Sequence, residues 1–174
     1  MVLFKIEETL EYMEKISKDA DEILISSFGI WAGIKPEVVY DFAVVFKFME
    51  KMRKNKNVSI LIGKPTLIHC NKTYCMDCVT QNKVAIERIN SHAKYWPMFQ
   101  WFLSDQVHIK AFLVRHKEVW SGIAGSRNLS GSKWKECMFS LDKNDSQLIC
   151  NEVKSIIRDC TELGEVKEWL EQVQ

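Results

Sequence analysis

"HIKAFLVR", residues 108–115, is the stretch whose reading decides the fold. Ala111, Phe112, Leu113 and Val114 have the apolar character of a buried strand, yet a histidine and a lysine stand two places apart at its start. Side chains alternate along a strand, so the pattern predicts His108, Lys110 and Phe112 on one side and Ile109, Ala111 and Leu113 on the other. His108 and Lys110 would then lie about 7 Å apart, near enough for both to reach one bound anion.

Downstream, "RHK" (115–117) has the character of a hairpin turn and "EVWSGIAG" (118–125) that of a returning strand. "GIAGSRNLSGS" (122–132) then offers a glycine-lined bend with Ser126 and Asn128 close together, a hydroxyl and a carboxamide suited to holding phosphate oxygens. "ECMFSL" (136–141) is a further strand, "DKND" (142–145) a turn, and the chain from about Ser146 reads as helix with a break near Gly164.

Upstream, the region from about Phe4 to Lys18 is an expected amphipathic helix, with Leu10, Met13 and Ile16 at spacings of three. "EILISSFGI" (22–30) and "VSILIGK" (58–64) read as buried strands, and "FQWFL" (99–103) as another short one. Between them, Pro36 opens an expected helix that ends in Lys51, Arg53 and Lys54, and a second helix is expected near Asn82 to Tyr95. Helix and strand alternate early and strands cluster later, the order of an α/β sandwich with a mixed central sheet and helices on both faces.

The two polar stretches resemble, in residue type and order, the signature of the phospholipase D superfamily, HxK followed by GSxN. The matching residues are His108, Lys110, Gly125, Ser126 and Asn128, and they join the elements that the family joins: strand, hairpin, strand, loop. Glu136 opens the next strand as an acidic residue commonly does there, and one family repeat is about the size of this chain. Two departures stand out: Arg115 occupies the place, five residues after Lys110, where the family usually has aspartate, and the interval between the motifs is longer than the commonest one. "HAK" at His92 to Lys94 also fits the short pattern, but it falls in an expected helix, where positions i and i+2 do not face each other.

The resemblance implies a phosphodiesterase that needs no catalytic metal. His108 would attack phosphorus and form a phosphohistidine, Lys110 and Asn128 would stabilise charge on the non-bridging oxygens with Ser126 helping to place them, and Glu136 would orient an imidazole. A second histidine must protonate the leaving oxygen, and one motif set per chain implies a symmetric homodimer. Single-repeat, dimeric members are mostly nucleases, so DNA or RNA is the expected substrate, with Arg127, Lys133 and Lys135 contacting phosphates and Trp134 stacking on a base. A phospholipid hydrolase and a catalytically inactive nucleic-acid-binding module are the alternatives.

Cys70, Cys75 and Cys78 form C-x4-C-x2-C, a cysteine-rich insertion at about 66–80. These thiolates with His92, or His69 as the alternative fourth ligand, would make a structural zinc site; ordinary reduced cysteines explain the cluster equally well. The same spacing begins a plant-type iron–sulfur pattern, a weaker reading because Cys137 belongs to a strand beside the candidate site while Cys150 and Cys160 fall on the last helix.

With 24 basic and 23 acidic residues among 174, any surface that attracts nucleic acid must be local. No window reaches the ~18 apolar residues of a membrane span, and the opening residues lack a signal-peptide pattern. The expectation is one domain over residues 1–174, soluble and cytoplasmic.

Overall fold

The computed structural model describes residues 3–4, 6–27, 57–63, 99–104, 106–126 and 137–161. Among these residues are strands β1 (Leu3–Phe4), β2 (Glu22–Ser27), β3 (Asn57–Gly63), β4 (Phe99–Ser104), β5 (Lys110–His116), β6 (Val119–Gly125) and β7 (Met138–Leu141), with helices α1 (Ile6–Ser17) and α2 (Lys143–Thr161). The strands form one mixed sheet in the order β1-β7-β6-β5-β2-β3-β4. β2, β3 and β4 run parallel, whereas β5 is antiparallel to β2, and β5, β6 and β7 form an antiparallel meander.

Continuous apolar runs become strands buried on both sides. On one face Leu24, Leu61, Leu113 and Trp120 pack with Cys150, Val153, Ile156 and Cys160, which recur at helical spacing along the inner stripe of α2. On the other face Ile23, Ile25, Ile60, Ile62, Phe112, Val114 and Ile123 are each 1 % exposed or less. The chain is therefore α/β with a mixed sheet, as its order of elements predicts.

Three boundaries differ from the sequence reading, each for a local reason. Leu3 and Phe4 are not the start of α1; they pair with Phe139 and Met138 and so cover ladder groups on the outer side of β7. "DKND" is not a turn before the helix but its cap and first turn. The Asp142 carboxylate accepts the Asp145 N–H at 2.8 Å, and its carbonyl accepts the Ser146 N–H at 2.9 Å. Asp and Asn are favoured in turns and at N-caps alike, so composition alone does not separate the two. Thirdly, β5 begins at Lys110, leaving His108 and Ile109 ahead of the regular strand.

The expected hairpin is present, with Lys117 and Glu118 between paired His116 and Val119. Lys117 has a φ of 56°, and its N–H donates to the Asp21 carboxylate at 2.6 Å. Beside it, the His116 ring joins the hairpin to the end of α1. Nε2 lies 2.8 Å from the Ile16 carbonyl oxygen and Nδ1 3.1 Å from that of Asp19.

The expected helices opening at Pro36 and spanning Asn82 to Tyr95, the cysteine-rich stretch and the break near Gly164 lie outside the described residues. No described helix is long and apolar enough to cross a membrane.

Candidate active site

Pairing between β5 and β6 brings the two halves of the motif together. Lys110 stands directly opposite Gly125, which also pairs with Met138 of β7, and Ser126 follows at once. Ser126 donates its N–H to the Cys137 carbonyl at 3.1 Å, while its Oγ accepts the Cys137 N–H at 3.2 Å. The chain thus leaves β6 and enters β7 at two mutually bonded residues.

Gly125 is required by this close approach. A Cβ built on it would lie 2.1 Å from the Cys137 carbonyl oxygen and 2.9 Å from the Met138 Cα. These are backbone atoms, which cannot swing aside as a long side chain can. Gly125 ends β6 against its neighbour β7, and the bend expected beyond it runs outside the described residues.

His108 is exposed, and it stands ahead of the regular strand β5, in which the sequence pattern places it with Lys110. Its mount is nevertheless well anchored. Val107 before it is 2 % exposed in the core under α2, and Ile109 after it packs against the same cluster. Lys110 Nζ donates to the His108 carbonyl at 3.0 Å, and Ser26 Oγ donates to the Ile109 carbonyl at 2.7 Å. Lys110 itself is only 9 % exposed, so its ammonium is held inside the fold near the histidine's backbone.

These residues share one end of the sheet. Ser27, Gly63 and Ser104 close the parallel strands β2, β3 and β4 there, alongside the start of β5 and the end of β6. Ligands of open α/β sheets characteristically bind outside the carboxyl ends of the parallel strands. Asn128, Glu136, Arg127, Lys133, Trp134 and Lys135 lie outside the described residues, as do Cys70, Cys75, Cys78, His69, His92 and Lys94.

Arg115 sits at the far end of β5, about 17 Å along the strand from Lys110. Its Nε donates to Glu22 Oε2 at 3.0 Å across the β2–β5 pair, and its Nη1 donates to the Lys117 carbonyl at 3.0 Å. Glu22 also holds Lys154 of α2 at 2.7 Å, and that ammonium lies 4.7 Å from the centre of the Trp120 ring. Arg115 thus has an acid facing it from the neighbouring strand, in an ion network at the end of β5 remote from His108.

Glu22 and Ser26 were not singled out by the sequence. Both lie in a run that reads as a plain buried strand, and only the β2–β5 register shows what each meets. A cleft of about 690 Å³ on the α2 face is bordered, among the described residues, by Leu24, Ser59, Phe102, Lys154 and Arg158, and not by His108, Lys110, Gly125 or Ser126. Among the other cysteines, Cys137 is half-buried beside Ser126, and Cys150 and Cys160 are buried on the inner stripe of α2; none of these three is in a disulfide. Burial pushes the Cys150 thiol up from 9.0 to about 11, opposed by nearby Lys154, so it remains a neutral part of the core.

No protein-family model and no curated protein matches the chain. Among solved structures it is similar to TrmBL2, an archaeal chromatin protein whose structure shows a novel mode of DNA binding. The identity is 13 % and the TM-score 0.49, over 88 % of this chain and 50 % of that one. The chain therefore spans about half the length of the solved structure it matches.

Proposed function

We propose that the chain is a metal-independent phosphodiesterase of the phospholipase D type, with the helix-flanked α/β sandwich of that superfamily, acting as a homodimeric endonuclease on DNA or RNA in the cytoplasm. The observation that supports it most is the cross-strand pair Lys110 and Gly125, with His108 exposed on an anchored segment at one side and Ser126 at the other. A cation, a hydroxyl and an imidazole at one sheet end are the groups a phosphodiester needs.

In this reading an imidazole nitrogen of His108 forms a bond to phosphorus as the P–O bond to the leaving group breaks. The second protomer's His108 gives the departing oxygen a proton. Water, deprotonated by that same residue, then attacks phosphorus, the P–N bond breaks and both histidines return to their starting state. Lys110, Asn128 and Ser126 hold the non-bridging oxygens, and Glu136 orients an imidazole. Arg127, Lys133 and Lys135 contact neighbouring phosphates and Trp134 stacks on a base, giving slight sequence preference.

Labelled single- and double-stranded nucleic acids incubated with the protein in EDTA provide the test. Cleavage that His108→Ala abolishes is the expected result. Turnover of a phospholipid in place of nucleic acid would move the assignment to a lipid hydrolase, and binding without any turnover would leave an inactive module. The proposed structural zinc on Cys70, Cys75 and Cys78 with His92 or His69 is tested separately, by elemental analysis of the purified protein.

A further inference from the structure

We infer that Ser26 is a positioning residue for His108, acting through the backbone that carries the imidazole; this rests on the reading of His108 as nucleophile. His108 and Ile109 precede the regular part of β5, and side chains bond to the carbonyl groups of both. These side chains reach in from opposite faces of the sheet. Ser26 has the parity of Leu24, which packs under α2, and its hydroxyl donates to the Ile109 carbonyl at 2.7 Å. Lys110 has the parity of Phe112, on the other face, and its ammonium donates to the His108 carbonyl at 3.0 Å.

The two bonds clamp consecutive peptide groups between the faces. Ser26 is 3 % exposed, so water does not readily replace its hydroxyl once that is removed, and the part-buried Ile109 carbonyl would lose this partner. The segment would relieve this by shifting, and His108 is the exposed side chain that moves with it. A nucleophile must meet phosphorus within tenths of an ångström of its productive place, so the effect of losing the hydroxyl falls on the chemical step. Lys110 combines two roles, anion stabilisation and clamping, whereas Ser26 has its hydroxyl committed to the clamp.

The test compares Ser26→Ala, Ser26→Thr, and Ser17→Ala as a control for a buried serine hydroxyl on α1. Amide hydrogen exchange and steady-state cleavage are measured on the full chain. The expected result for Ser26→Ala is faster exchange across residues 107–110 with residues 112–114 unchanged, and kcat lowered about tenfold at constant KM. Ser26→Thr, which keeps the hydroxyl, restores both, and Ser17→Ala changes neither. Unchanged exchange at residues 107–110 in Ser26→Ala, or a loss of kcat that Ser17→Ala reproduces, would overturn the inference. Absence of cleavage by the unsubstituted protein sinks the reading of His108 as nucleophile, while the exchange comparison still decides whether Ser26 holds the segment.

Discussion

Lys110 is a charged side chain only 9 % exposed, in a strand flanked on both sides. Such burial is costly unless the ammonium is hydrogen-bonded, and the carbonyl of His108 supplies part of that requirement. His108 is the reverse case, an exposed side chain between buried Val107 and half-buried Ile109. Truncating an exposed side chain usually changes stability little. His108→Ala should leave the thermal midpoint within about 1–2 °C while lowering cleavage at least about 10³-fold, a contrast that paired melting and activity measurements would show. Gly125→Ala should behave oppositely. Its Cβ meets the backbone of β7, so a loss of about 2–3 kcal/mol in chemical unfolding is expected, with activity falling along with folded population.

At the scale of elements, α2 depends on a cap and an inner stripe. Asp142 holds the Asp145 N–H, so Asp142→Ala should cost about 1 kcal/mol in urea unfolding, and Asp142→Asn, which keeps an acceptor oxygen, much less. Within the stripe, Cys150 titrates at about 11 when folded and near 9.0 when the chain is open. A raised folded value means the stabilising contribution is full below about pH 9 and is lost as pH climbs through about 11. That gap corresponds to roughly 2–3 kcal/mol. The stability difference between the unsubstituted protein and Cys150→Ala should therefore narrow by up to that amount between about pH 8 and about pH 11. A difference constant across that range would show that burial does not hold the thiol neutral.

For the whole molecule, the sheet order places the motif of β5 and β6 at the carboxyl end of β2, β3 and β4. One chain carries one HxK and GSxN set, so the proposed reaction needs two chains with their His108 residues near one phosphate. Sedimentation should show a dimer at working concentrations, and a fully active monomer would remove the proposed general acid. Arg115 illustrates why part of the site was legible in sequence and part was not. Its position on a strand after Lys110 followed from local pattern, but its partner Glu22 lies 93 residues away in the chain. The same holds for Ser26, whose hydroxyl meets Ile109 across 83 residues of sequence.

The sequence by itself determined the apolar runs that become buried strands, the amphipathic stripes of the two described helices and the hairpin that carries Lys110 back to Gly125. These follow from period, propensity and turn chemistry, which act over a few residues. Only the tertiary structure decided that β5 starts after His108, that Asp142 caps α2, that Leu3 and Phe4 leave the helix to pair with β7, and that Glu22 answers Arg115. Each of those outcomes depends on which backbone or charge lies opposite, and strand register sets that through contacts between residues far apart in the chain.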